Sequence, residues 1–284
     1  NPEKIVYAGV GKTSSEIELA LSTGIRMFNC ESLSEIERIN MIAKKMNKIA
    51  SIAIRINPDI EALTHHYITT GRKENKFGIS ISSLPQIVDI LKDLSNIRLK
   101  GLHVHIGSQI TNVEPFVKAC SKAVEVMGML QEMGMSECKT LNLGGGLGIQ
   151  YKNEEESLDI NTWADSIGNI VKDRDIFLII EPGRYISGSS GALITRVLYK
   201  KKADSKTFII VDSGMHHLIR PTLYQAYQHI ANVTLRNGKE IVDVVGPICE
   251  SGDFFAKDRE ITYTEEGDLL AILSAGAYGM AMAS

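Results

Sequence analysis

Short apolar runs alternate with amphipathic stretches up to about residue 184. The runs at residues 5–9, 26–29, 50–56, 99–106, 139–143 and 177–180 are largely continuous in their hydrophobicity, as in strands buried on both faces. Between them apolar positions recur at helical spacing. Ile36, Ile39, Ala43 and Met46 form one stripe, Phe116, Cys120, Ala123, Val124, Met127 and Leu130 a second, and Trp163, Ile167, Ile170 and Val171 a third. Thr13 with Glu16, Ser32 with Glu35, and Ser83 with Gln86 have capping-box spacing and predict helix starts. Repeated strand–helix alternation predicts a parallel sheet joined by right-handed crossovers.

Beyond Arg184 the texture changes. Residues 191–199, 207–211, 230–235, 240–245 and 269–273 are β-rich with no strong helix between them, and Asn237-Gly238 is a hairpin turn signal. This region predicts an antiparallel sheet or small barrel. The expected division is 1–185 for the α/β domain and 186–284 for the β domain. Six strand–helix steps fall two short of an eight-stranded barrel. An open six-stranded sheet is the simpler alternative, but such sheets rarely carry polar working residues on so many strand ends. Strand signal begins almost at Asn1, and the chain stops just after Tyr278-Gly279-Met280, so both ends read as cut. The fold expected is a (β/α)8 TIM-type barrel lacking its first two strands, followed by an antiparallel β domain lacking its last. An open barrel of that kind would expose two strand edges.

Composition narrows the function classes. The chain has 284 residues, 31 Lys and Arg against 34 Asp and Glu, and a formal net charge of −3. No basic block alternates with aromatic residues, which argues against nucleic acid as a partner. No apolar run approaches a membrane span or a signal peptide. Cys30, Cys120, Cys138 and Cys249 are scattered without metal-type spacing and read as reduced thiols of a cytoplasmic protein.

Candidate chemistry sits where the strands end. Gly144-Gly145-Gly146-Leu147-Gly148 follows a strand, and glycines let backbone N–H groups approach a phosphate. The spacing is not that of a dinucleotide fingerprint, and a tight turn explains the run equally well. His105, followed by Gly107 and Ser108, offers an imidazole for a flat ligand and a hydroxyl for a phosphate oxygen; His103 shares its parity. Glu181-Pro182-Gly183-Arg184 offers a carboxylate for a protonated ring nitrogen and a guanidinium for carboxylate or phosphate. Either pair also has a structural explanation, as a capping histidine or a Glu–Arg pair. Cys249-Glu250-Ser251-Gly252-Asp253 is a compact polar turn with a thiol, Arg220-Pro221 and Tyr224 form a further candidate anion site, and Ala277-Tyr278-Gly279 sets a phenol between small residues; each of these is a weak signal alone. His65-His66 and His216-His217 are adjacent pairs whose side chains are expected to diverge, so no metal site is predicted.

Five motifs in order carry a resemblance: residues 105–109 (HIGSQ), 144–149 (GGGLGI), 181–184 (EPGR), 249–253 (CESGD) and 277–279 (AYG). Together they closely resemble the diaminopimelate decarboxylases, members of the alanine-racemase-like, fold type III group of pyridoxal-phosphate enzymes. The match runs over essentially the whole chain and includes Gly9-Val10-Gly11-Lys12-Thr13, Asn29-Cys30-Glu31-Ser32 and Lys76-Phe77-Gly78. It implies decarboxylation of meso-diaminopimelate to L-lysine and CO2, with pyridoxal 5'-phosphate as cofactor. By this resemblance His105 would stack on the cofactor ring. Ser108, Gly144, Gly145 and Gly146 would hold its phosphate. Glu181 would pair with the ring nitrogen, and Gly183 and Arg184 would line the cofactor. Arg184, Arg220, Tyr224 and Glu250 would bind substrate, Tyr278 would touch both, and Cys249 would return a proton after CO2 leaves. A homodimer with shared active sites is also implied.

Arginines at positions 184 and 220 suit a substrate with a carboxylate at its far end. An ornithine- or arginine-type decarboxylase, which would be expected to place an acid there, is the alternative substrate class. A non-catalytic regulatory homologue is a second alternative, because the motif of the Schiff-base lysine, resembling Tyr-Ala-x-Lys-Ala-Asn, does not occur in this sequence. Lys12 belongs to a different motif and is not assigned that role.

Overall fold

The computed structural model describes residues 1–58, 76–152 and 154–284; the His65-His66 pair lies outside the described residues. They cluster into two compact units: Asn1–Gly146 with Leu158–Pro182, and Leu147–Ser157 with Gly183–Ser284. The segment Leu147–Ser157, placed with the first domain on sequence, clusters with the second unit.

In the first unit, β1 (Val6–Tyr7), α1 (Ser14–Thr23), β2 (Met27–Cys30), α2 (Leu33–Lys45), β3 (Ala50–Asn57), β4 (Ile79–Ser80), α3 (Leu84–Asp93), β5 (Ile97–His103), α4 (Glu114–Glu132), β6 (Thr140–Asn142), α5 (Ile160–Val171) and β7 (Phe177–Ile179) follow one another. The strands pair in parallel in the order β1-β2-β3-β5-β6-β7, with β4 added to the end of β3. Order in space follows order in the chain. A doubly wound open sheet reverses direction at a switch point. Its absence among the described strands fits the TIM-type barrel and not the open-sheet alternative.

The local signals explain these elements unevenly. Thr13 and Glu16 form a full capping box at α1. Ser32 caps α2 by accepting the Glu35 N–H, but the Glu35 carboxylate turns to Lys12 and the Glu31 N–H instead of closing the box. Ser83 makes no side-chain cap, because the 3-10 turn Ile81–Ser83 runs straight into α3 and Ser83 is already helical. Ile36, Ile39 and Ala43 are buried on α2, and Phe116 meets Trp163 edge-on across α4 and α5.

The second unit holds α6 (Gly183–Ser187), β8 (Leu193–Lys202), β9 (Thr207–Val211), α7 (Arg220–Tyr224), β10 (Ile230–Asn232), β11 (Lys239–Val245), β12 (Phe254–Thr262) and β13 (Leu269–Ile272). Its sheet order among the described residues is β10-β13-β8-β9-β11-β12. The pairs are antiparallel except β9 with β11, which is parallel. Val197, Ile209, Val211, Val244, Phe255, Leu270 and Ile272 form the core. Asn237-Gly238 does turn the chain, with Gly238 at φ +90°, but it joins β10 to β11, which are not sheet neighbours, so it is no hairpin turn. No helix among the described residues is long and apolar enough to cross a membrane.

Candidate active site

The strand register of the first unit sets polar residues side by side. Arg55 on β3 is level with His103 on β5, which is level with Asn142 on β6. Glu181 follows β7, and its N–H donates to the Gly144 carbonyl at 2.7 Å. The Asn142 amide is fixed at both ends. Its Oδ1 accepts the Gly144 N–H at 2.9 Å, and its Nδ2 donates to Glu181 Oε1 at 2.7 Å. Asn29 Nδ2 donates to the same oxygen at 3.4 Å. The half-buried Glu181 carboxylate is therefore aimed by two amides, with no opposite charge bonded to it among the described residues.

The glycine run has a steric cause. A Cβ on Gly144 would lie 2.5 Å from the Val104 carbonyl oxygen, on Gly145 2.3 Å from that of Glu181, and on Gly146 2.6 Å from that of Gly107. Gly144 and Gly146 also have φ of +64° and +99°, which L side chains resist. Gly145 donates to His105 Nδ1 at 3.1 Å, and Ile110 donates to the Gly146 carbonyl at 2.9 Å, so the loop carrying His105 and Ser108 is laced to the run. Gly144 and Gly145 thus spend their N–H groups on Asn142 and His105.

Both histidines are held neutral. Burial, and then the Arg55 charge, push His105 down to about 4. With Nδ1 accepting from Gly145, the neutral ring carries its proton on Nε2. Burial, Arg55, His105 and Lys12 also push the fully buried His103 well below the ordinary histidine range. Its Nε2 lies 3.9 Å from Glu181 Oε1, beyond hydrogen-bond range, and a neutral ring makes no ion pair there.

Lys12 is buried and fully occupied. Its ammonium donates to the Gly9 and Asn29 carbonyls at 2.7 Å each and to Glu35 at 2.5 Å. Three donors meet three acceptors, which makes it a tie between strand ends. Arg55 pairs with Glu31 at 2.7 Å, and Glu31 also accepts the Gly78 N–H at 2.9 Å.

The second unit holds the other predicted residues. Arg184 on α6 and Arg220 on α7 are both buried. Arg184 donates to the Tyr151 hydroxyl at 2.6 Å and lies over the Tyr278 ring at 4.7 Å. Arg220 lies over the Tyr151 ring at 4.9 Å and donates to Gln228 Oε1 at 2.7 Å. Burial lowers the Arg220 pKa, and the Arg184 charge adds to the effect against the opposing influence of Tyr151. Tyr224 ends α7, half-buried. Tyr278 is exposed and sits at φ +61°, a strained backbone for a bulky residue. Gly183 opens α6 with no atom near enough to forbid a side chain.

Cys249 and Glu250 are exposed on a tight turn. The buried Asp253 anchors it, accepting the Met215 N–H at 2.6 Å and the Ile248 N–H at 2.8 Å. Glu250 Oε1 accepts the Gly252 N–H at 3.1 Å. The His216 and His217 rings do not diverge: their centroids are 3.7 Å apart. They lie on a turn, where the alternation of a strand does not apply. His217 shares a hydrogen bond with Ser213, and among the described residues no group of three or more His, Cys, Asp or Glu could hold a metal.

Sequence reasoning passed over Asn142, Tyr151, Gln228 and the Arg55–Glu31 pair. Asn142 was findable as the last residue of a strand just before the glycine run. The others depend on contacts between distant segments and carry no local signal.

Residues 1–188 match the family model described as pyridoxal-dependent decarboxylase, pyridoxal binding domain. The chain is 47% identical to the diaminopimelate decarboxylase of Aquifex aeolicus over 100% of its own length and 67% of that protein. It belongs to the pyridoxal-dependent decarboxylase family, among the diaminopimelate decarboxylases. The protein of that name from Neisseria meningitidis serogroup A is 44% identical over 99% of this chain and 69% of its own length. The crystal structure of the Helicobacter pylori diaminopimelate decarboxylase complexed with L-lysine superposes with a TM-score of 0.95 at 42% identity, covering 100% of this chain and 71% of that one. This is the fold type III architecture, and pyridoxal phosphate is the cofactor of the family. The residues of the first unit fit such a group: an aimed carboxylate, a neutral imidazole and a glycine run that admits no side chains.

Proposed function

We propose that the protein removes CO2 from the D-centre of meso-diaminopimelate to give L-lysine, using pyridoxal phosphate. The observation that carries the substrate assignment is Arg220, buried beside the amide of Gln228 and the ring of Tyr151, with no carboxylate bonded to it among the described residues. A buried guanidinium with neutral partners is costly unless an anion completes it. The carboxylate at the non-reacting end of diaminopimelate is such an anion. The distal ammonium of ornithine, or the guanidinium of arginine, would be repelled there.

In this reading Glu181 holds the ring nitrogen of the cofactor protonated, with Asn142 and Asn29 aiming it. His105 lies against the ring face. Being neutral, it adds no positive charge to compete with that nitrogen. Ser108 and Gly146 take the phosphate, with Gly144 and Gly145 keeping its path clear, and Gly183 and Arg184 line the ring. Bound pyridoxal phosphate supplies the sink for the electron pair that departing CO2 leaves behind. The carbon that lost CO2 must gain a proton, and Cys249 delivers it from its thiol. Arg184, Arg220, Tyr224, Glu250 and Tyr278 hold the substrate. The exposure of Cys249 and Glu250 fits a homodimer in which this turn serves the partner subunit's site. Four free cysteines fit a reducing, cytoplasmic setting.

The test is CO2 release by the full-length protein from meso-diaminopimelate, L-ornithine and L-arginine in parallel. Diaminopimelate should be the preferred substrate, with L-lysine as product. Faster turnover of ornithine or arginine would overturn the assignment.

A further inference from the structure

Gln228 is the least exposed polar residue near the arginines, at 0% exposure, and both ends of its amide are committed. Nε2 donates to the Leu273 carbonyl at 2.7 Å, and Oε1 accepts from Arg220 at 2.7 Å. Its backbone is pinned as well: the Gln228 carbonyl accepts from Arg259 at 3.0 Å, and the Leu273 N–H donates to the His229 carbonyl at 2.8 Å. The orientation is chemically forced. A carbonyl oxygen needs a donor and a guanidinium needs an acceptor, so the reversed amide would satisfy neither. A carboxylate cannot replace it without cost, because one of its oxygens would meet the Leu273 carbonyl with no proton between them.

We infer that Gln228 sets the substrate class at Arg220, as a positioning residue that aims the guanidinium without cancelling its charge, so that the charge is kept for the carboxylate at the substrate's non-reacting end. This rests on the reading of Arg220 as the site for that carboxylate. An acid at this place would close the ion pair inside the protein and leave nothing for the ligand. A neutral apolar residue of similar length would leave the charge but lose the aim. Charge and aim are therefore separable, and the two substitutions rank oppositely for a charge-setting role and for a purely structural one.

The experiment compares L-lysine with cadaverine, which is L-lysine without its carboxylate, as ligands of the full-length holoenzyme. Calorimetry gives the dissociation constants for wild type, Gln228→Glu and Gln228→Met, and steady-state assays give KM and kcat for meso-diaminopimelate. Wild type should prefer L-lysine. Gln228→Glu should cut that preference about tenfold or more and raise KM while kcat stays nearly constant. Gln228→Met should cut it only about threefold. A structural role predicts the reverse ranking, since the glutamate keeps the hydrogen bond to Arg220 and the methionine does not. The inference is overturned if Gln228→Glu retains the preference, or if Gln228→Met loses as much as or more than Gln228→Glu. Should the glutamate variant not fold, loss of the preference in Gln228→Met alone overturns it. Equal binding of L-lysine and cadaverine by wild type would instead remove the assignment of Arg220 itself.

Discussion

In the first unit the buried cations have acids beside them, Lys12 with Glu35 at 2.5 Å and Arg55 with Glu31 at 2.7 Å. In the second unit the buried Arg220 meets an amide oxygen and a tyrosine ring. Lys12 also bonds the Gly9 and Asn29 carbonyls, and Arg55 on β3 bonds Glu31 just beyond β2, so these pairs tie neighbouring segments together. Arg220 is compensated by nothing charged among its described partners, which is what a ligand-binding cation requires. Under the proposed function, locally closed charge belongs to the scaffold, and the open charge of Arg220 is completed by the substrate carboxylate.

The largest effect expected is at Arg55. Replacing it with methionine leaves the nearly buried Glu31 carboxylate, among the described residues, with the Gly78 N–H alone, and breaking a buried pair from one side costs about 3–5 kcal/mol. Denaturant unfolding measures this directly. Gly145→Ala comes next. Its Cβ would sit 2.3 Å from the Glu181 backbone oxygen, so the strand ends must separate, at a cost of about 2–3 kcal/mol. Cofactor affinity should fall with it, because the same shift moves Glu181 and His105 apart. A Gly145→Ala variant with unchanged unfolding and unchanged affinity would show that the run is an ordinary turn.

A smaller effect is set by pH. His105 is lowered to about 4 in the fold, below its value in the unfolded chain. The unfolded chain binds the extra proton between about pH 6.5 and pH 4, so stability is complete above that window and falls as pH drops through it. With the partial exposure of the ring discounted, the loss from this group is about 2 kcal/mol. His103 shifts in the same direction and adds to it. Unfolding midpoints measured from pH 7 to pH 4 should decline steadily. Stability that rises on acidification would contradict the neutral state of both rings.

Much of the first unit was legible because each continuous apolar run is a parallel strand, and periodicity reports burial on two faces directly. The nine-residue β12 was missed for a physical reason. Its pairing with β11 shifts register near Val242 and Val244, Asp258 sits at φ +46°, and Lys257, Asp258 and Arg259 interrupt the apolar pattern. The polar motifs at strand ends announced His105, the glycine run and Glu181, since those residues are contiguous with strands. Asn29 and Asn142 act on Glu181 across the register, from residues 152 and 39 positions away, and no spacing rule foretells such a contact. Gln228 is concealed in the same way, being defined by Arg220 and the Leu273 carbonyl together.

The most direct test of the contrast between the units is the difference in unfolding free energy between Arg55→Met and Arg220→Met, each measured against wild type without ligand. Arg55→Met should lose about 3–5 kcal/mol. Arg220→Met should stay within about 1 kcal/mol of wild type, because removing a desolvated cation beside Arg184 offsets the lost bond to Gln228. Equal losses in the two variants would mean that Arg220 is as much a part of the scaffold as Arg55, and that its charge is not held open for a ligand.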